Sequence, residues 1–183
     1  WNNSFHYYSP AIALVTNVDK EHLDTFGDLN GVIKSFNKYL RRLPKGATAI
    51  VNKNDSYTEK IIRGCRCQIK FYGRLPSIDW KLGIPGQFNQ LNAEVAWQAA
   101  RILGVKKLIA QKAVADYQGS WRRLERLELP KLVSKKEKLR GIFYSDYAHH
   151  PTEIKATIGA LKEKHPRHKL LVVFQPHQRQ RLT

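Results

Sequence analysis

Methionine is missing from all 183 residues, the first position included. The chain opens on "WNNSFHYY" and is expected to be the inside of a longer protein. Cys65 and Cys67 are the only thiols. Two cysteines at C-x-C spacing exclude a disulfide framework and an all-thiolate zinc site, and they suit a reducing compartment. No run of eighteen apolar residues occurs, so no spanning helix is expected. No charged-then-apolar leader opens the chain, so no secretion signal is expected either, and the protein is placed in the cytoplasm. Internal repeats and low-complexity tracts are also missing. Acidic residues are scarce, 15 against 32 Lys and Arg, for a net charge of +17. That excess leaves two readings, a nucleic-acid binder or a basic surface that handles anionic small molecules. Zinc-finger spacing and an arginine-rich tail are both absent, and "VSKKEKLR" has the character of a solvated hairpin or loop. The second reading is preferred.

What is present is globular in composition: 42% of the residues are hydrophobic and 26% charged. "AIALVTNV" is a short apolar run expected to be a strand buried on both faces. In "LNGVIKSFNKYLRRL", Val32, Ile33, Phe36, Tyr39, Leu40 and Leu43 form a helical stripe that Pro44 and Gly46 end. "ATAIVN" and "CQIKFYG" are further strands, with a short helix in "YTEKIIRGC" between them. "GIPGQFNQLNAEVAWQAARILGV" begins at a Gly-Pro-Gly turn. It is expected to be a helix capped near Asn89 or Asn92, with Ala93, Ala96, Trp97, Ala100 and Leu103 along its stripe. "KKLIAQKAVADY" is a second helix. "LRGIFYSDYA", "PTEIKATIGALKEKH" and "HKLLVVF" then spell strand, helix, strand. The alternation predicts an α/β fold with a mainly parallel sheet. It also predicts two pieces, 1–120 and 121–183, divided near Gly119–Pro130.

Polar chemistry concentrates at predicted strand ends, where open α/β sheets bind ligands. In "SDYAHHPTEI", Pro151 suits the first helical position and Glu153 the first turn. Asp146, Tyr147, His149 and His150 therefore sit between a strand and a helix N-terminus. If the next strand, Leu170–Phe174, runs parallel to Gly141–Tyr147, its following loop opens on the same edge. That loop carries His177, Arg179 and Arg181, and the two clusters together suit a carboxylate or phosphate. The first strand likewise leads into Asp19, Glu21, His22 and Asp24, which suit either a divalent cation or a helix cap.

"TNVDKEHLDTFGD", "IPGQFNQLNA", "YQGSWRRLE", "SDYAHHPTEI" and "FQPHQRQR" occur in an order that resembles the Mur ligases. These are ATP-dependent amide-forming enzymes of cell-wall precursor synthesis. The resemblance covers nearly the whole chain. It implies a partial central ATP-binding domain over 1–120 and a partial Rossmann-like C-terminal domain over 121–183. Within the family, "DYAHHPTEI" followed by "FQPH" is most similar to members that join L-alanine to UDP-N-acetylmuramate. Members that recycle murein tripeptide onto the same sugar are the alternative. The resemblance implies ATP and Mg²⁺ as cofactors, with His22 a metal ligand and Asn89 and Asn92 holding adenine. It places Arg122 and Arg123 on the nucleotide phosphates, Asp146 near the ribose, and Tyr147, His149, His177 and Arg181 at the substrates. His149 and Arg123 are the implied catalytic pair. Phe88 stands where a histidine is usual, Glu21 and Ser145 replace aspartates, and Gln178 stands where some members carry arginine. A G-x-x-G-K-T phosphate loop is absent from these residues, so they are expected to be inactive alone.

Overall fold

A computed structural model describes residues 3–73, 80–128 and 141–175. The chain forms two compact units. One comprises Trp1–Trp80 with Gln90–Val114, the other Lys81–Asn89 with Ala115–Thr183.

The first unit is built on a parallel sheet in the order β1 (Ile12–Val15), β2 (Thr48–Asn52), β3 (Gln68–Tyr72). Val15 pairs with Val51, and Asn52 with Tyr72, so the three strands end level. Ala49, Ile50 and Val51 of β2 are fully buried. Successive side chains point to opposite faces. Ala49 and Val51 join Ala13, Val15 and Ile61, together with Val32, Ile33 and Leu40 of α2 (Leu29–Arg42). Ile50 points the other way, with Tyr72 and Val95. Each fully buried aliphatic side chain of this kind contributes about 1.5–3 kcal/mol. The expectation that the first strand is buried on both faces is corrected, since Leu14 is 45% exposed on this edge strand.

Helix α2 has the predicted stripe, and Pro44 follows its C-cap, Leu43. Asp28 caps its start by accepting from the Gly31 N–H at 2.8 Å. Before it lies a four-residue helix, α1 (Leu23–Phe26), and after β2 comes α3 (Thr58–Ile62). Helix α4 (Gln87–Ile102) starts ahead of both Asn89 and Asn92, so neither asparagine caps it. Its predicted stripe is also corrected. Ala96 is exposed, and Leu103 is 72% exposed just past the helix end. Leu91, Val95, Ala99 and Ile102 pack on the sheet instead, while the Trp97 ring meets Trp80 edge-on. Helix α5 (Lys107–Asp116) follows as expected.

In the second unit, β4 (Glu125–Leu127) pairs antiparallel with β5 (Phe143–Ser145), and α6 (Pro151–Lys164) follows. The strand expected at Leu170–Phe174 does not form. Exposure still alternates there, with Leu171 and Val173 more exposed than Leu170, Val172 and Phe174. The segment has the side-chain alternation of a strand without a ladder of backbone bonds to any described neighbour. The shared parallel edge inferred from it is therefore not formed among the described residues. His177, Arg179 and Arg181, and the "VSKKEKLR" run, lie outside the described residues. No helix among the described residues is long and apolar enough to cross a membrane.

Candidate functional site

Two polar clusters sit at strand ends, one in each unit. In the first unit, the chain leaving β1 is tied down from three directions. Asp55 accepts from the Val18 N–H at 2.8 Å and, through its other oxygen, from the Tyr57 N–H at 2.8 Å. Asn52 and the Tyr72 hydroxyl both donate to the Thr16 carbonyl, at 3.1 and 3.2 Å. Burial, and then the charge of Asp55, push the Tyr72 phenol up to about 12, so it stays protonated and keeps donating. Gly73 has a left-handed φ of +85°, and a Cβ there would meet the Asn52 Oδ1 at 2.6 Å. These ties were not legible as a pattern in the sequence; the only sign was the polar run after β2. They position the segment that enters His22. His22 is exposed, adopts a left-handed φ of 55°, and begins α1 through its carbonyl, which accepts from Phe26.

In the second unit the cluster forms around Tyr147. The guanidinium of Arg122 lies 4.8 Å from the centre of the Tyr147 ring and that of Arg123 lies 6.0 Å from it, distances suited to cation–π contact. The His149 ring meets Tyr147 edge-on at 5.1 Å. The His149 Nδ1 is 2.9 Å from the Tyr147 carbonyl. A carbonyl only accepts, so the proton lies on Nδ1 and Nε2 is the basic nitrogen. Asp146 is half-buried, and both of its oxygens accept from backbone, from Leu124 N–H and Ala148 N–H, each at 2.7 Å.

Helix α6 starts as its sequence predicts. His150 is the N-cap, Pro151 is the first helical residue, and the Glu153 carboxylate reaches back to the N–H groups of His149 and His150. Glu153 also pairs with Arg123 at 3.5 Å. Burial opposes ionisation of Glu153, but the two N–H donors, with Arg123 and His149 nearby, outweigh it. They hold its carboxyl below the usual glutamate range.

The turn before β4 supplies the arginines. Arg122 and Leu124 both adopt left-handed backbone, with φ of 53° and 48°. Each is disfavoured by about 1–2 kcal/mol for a residue bearing a Cβ. Glu125 accepts from the Arg122 N–H at 2.9 Å, and the Tyr147 N–H donates to the Arg122 carbonyl at 2.8 Å. Beside this turn a groove of about 560 Å³ runs between β5, α6 and residues 170–175. Tyr144, Ile158 and Phe174 line its apolar part, and Arg122, Tyr147 and His149 its polar part.

Also in the second unit, the Asn89 amide donates to the Pro85 carbonyl at 2.7 Å, so its donor half is engaged. Asn92, further along α4, is exposed. Thus Arg122, Arg123, Asp146, Tyr147 and His149 come together within one unit. They form a cationic, aromatic surface suited to phosphate or carboxylate. Within either unit alone, the described residues bring no three metal-ligating side chains together.

Residues 3–76 match the family model for the Mur ligase middle domain, and residues 123–183 match that for the Mur ligase glutamate ligase domain. The chain is similar to the UDP-N-acetylmuramate–L-alanine ligase of Caldicellulosiruptor bescii, at 33% identity over 98% of this chain and 44% of the relative. The Aquifex aeolicus enzyme of the same name is 32% identical over 96% of this chain and 43% of its own length. The chain thus spans less than half the length of these curated relatives. Among solved structures, the UDP-N-acetylmuramate-alanine ligase of Thermotoga maritima aligns with a TM-score of 0.73 at 21% identity, covering 96% of this chain and 43% of that one. The murein peptide ligase of Psychrobacter arcticus aligns with a TM-score of 0.61 at 21% identity, covering 95% and 39%. At such identities these two structures speak for the fold alone.

Proposed function

Because this chain belongs to the Mur ligase family, we propose that it is part of an ATP-dependent ligase joining L-alanine to UDP-N-acetylmuramate. The observation that carries this reading is the Arg122–Arg123–Tyr147–His149 cluster, within a chain similar over nearly its whole length to ligases of that name. In this reading residues 1–120 belong to the central ATP-binding domain and 121–183 to the C-terminal domain.

A carboxylate is a poor electrophile, and phosphorylation supplies a leaving group. The sugar carboxylate attacks the γ-phosphorus of ATP, giving an acyl phosphate and ADP. The L-alanine amine then attacks the acyl carbon, phosphate departs, and the amine loses a proton. Arg122 and Arg123 are assigned to the charge on the transferring phosphoryl group. His149, with Nε2 basic, is assigned to the amine proton, and Tyr147 to placing the amino acid beside it. Asn89 and Asn92 are assigned to adenine and Asp146 to the ribose. Those roles require Asn89 to exchange its bond to Pro85, and Asp146 to accept through its remaining lone pairs. His177 and Arg181 are assigned to the sugar-nucleotide anion.

Mg²⁺ prefers oxygen ligands, and His22 offers an imidazole. His22 is kept as one proposed ligand. The donors around it within its own unit do not complete a magnesium shell, and no step above is derived through the ion.

The test is a chimera in which these 183 residues replace the matching stretch of the Caldicellulosiruptor bescii relative. Phosphate release that requires both UDP-N-acetylmuramate and L-alanine is the expected result, with the chain alone inactive. Turnover with murein tripeptide in place of L-alanine would transfer the assignment to the recycling ligases. A folded chimera that turns over neither substrate would end the ligase reading.

A further inference from the structure

The arginine pair and the turn that carries it are held by two carboxylates that accept from its backbone. Glu125 accepts from the Arg122 N–H, Asp146 accepts from the Leu124 N–H, and Tyr147 closes the third side through the Arg122 carbonyl. Side-chain-bearing residues seldom adopt left-handed backbone, yet Arg122 and Leu124 both do within three positions. Such conformations persist where surrounding bonds over-determine them. The side-chain result is specific: Arg122 is stacked against Tyr147, and Arg123 is directed toward Glu153. Leu124 fixes the turn from the inside, being 6% exposed directly after two exposed arginines.

We propose that Glu125 and Asp146 are positioning residues: by binding the backbone of the 122–124 turn they aim Arg122 and Arg123 at an anionic polyphosphate. The inference rests on the reading of those arginines as phosphate contacts. Glu125 touches no ligand in this scheme and acts only through the backbone of Arg122.

The scheme makes a prediction opposite in sign to simple electrostatics. Removing Glu125 makes a basic protein more basic, so a non-specific charge effect tightens polyphosphate binding. Loss of positioning weakens it. The experiment is calorimetric titration of the full 183-residue chain with inorganic tripolyphosphate, with far-UV circular dichroism and thermal melting on each variant. E125A and D146A are each expected to weaken binding about fivefold to tenfold, the scale of one ordinary hydrogen bond. E125Q has the same net charge as E125A but keeps an acceptor oxygen, and is expected to bind as the unaltered chain does. E125D keeps the charge, withdraws the acceptor by one methylene, and is expected to weaken binding; it decides the matter if E125A melts out. Tripolyphosphate affinity that is unchanged or tighter in E125A and E125D overturns the proposal, as does E125Q behaving like E125A, or the unaltered chain showing no binding. A chimera inactive toward L-alanine would remove the ligase reading while leaving this titration to stand or fall separately.

Discussion

Glu153 gathers three tasks on one side chain. It closes the start of α6 through two N–H groups, pairs with Arg123, and lies 3.7 Å from the His149 Nδ1. Its carboxyl is held below the ordinary value, so its folded form releases the proton more readily than its unfolded form. Its stabilisation is then complete above the ordinary glutamate range and fades as pH falls through the lower folded value. Substituting Glu153 separates charge from capping. E153A removes both and should destabilise the second unit by about 1 kcal/mol at neutral pH, the usual worth of a helix cap. E153Q keeps the capping-box geometry and should lose less. Thermal melts from pH 7 down through the glutamate range should show the unaltered chain losing stability more steeply than E153Q. Parallel curves would mean that the carboxylate contributes through geometry alone. This start of α6 was legible from Pro151 and Glu153, because cap positions follow one another in sequence. The partners of Asp146 and Glu125 were not. A carboxylate accepting from a backbone N–H leaves no trace in spacing, least of all across the 22 positions between Leu124 and Asp146.

At the scale of elements, helix α4 shows what a stripe misses. Its sheet-facing side runs through Leu91, Val95 and Ala99, while Ala93 and Trp97 lie on a second buried face. Trp80 is only 3% exposed, and its ring packs on Trp97. The Gln90 amide clamps the backbone of Trp80, accepting from its N–H at 3.2 Å and donating to its carbonyl at 2.9 Å. Below it, Glu94 accepts from the Trp80 indole at 3.3 Å and from Gln98 at 2.9 Å. The sequence supplied a run apolar on more than one side, and a single stripe was read from it. Burial by Trp80, ten positions before Gln90, decided the rest. Q90L should therefore cost about 1–3 kcal/mol, since two backbone groups of a buried residue lose their partner at once. Urea unfolding followed by tryptophan emission would measure this, with the native emission shifting red as Trp80 loosens. Unaltered stability would show that water replaces the amide without loss. The strands β2 and β3 needed no such help, being short apolar or β-rich runs between turns. Leu170–Phe174 has the same composition, yet a strand also needs a backbone partner, and composition does not report whether one is present.

For the molecule as a whole, fold class was written in the alternation of runs, while of the proposed anion site only His149 was read from its place at a predicted strand end, Arg122 and Arg123 being added by the resemblance to Mur ligases. The net charge of +17 alone did not separate a nucleic-acid surface from one for small anions; the similarity to Mur ligases favours the second. One feature of the first unit also gives the protein a built-in reporter. Cys65 is half-buried and Cys67 buried, and no other thiol exists in the chain. Burial, followed by the neighbouring Cys67, pushes the Cys65 thiol from an ordinary 9.0 up to about 11. That lowers the thiolate fraction near neutral pH by about a hundredfold, and the thiolate is the species that reacts. Aromatic disulfide reagents should therefore label the folded chain at least about tenfold more slowly than the urea-unfolded chain. Equal rates would show the pair open to solvent in the native protein. Methionine is absent as well, so peroxide has no thioether to consume. The colour that an aromatic disulfide gives over time then comes from Cys65 and Cys67 alone and, through the buried Cys67, records how often the core of the first unit opens.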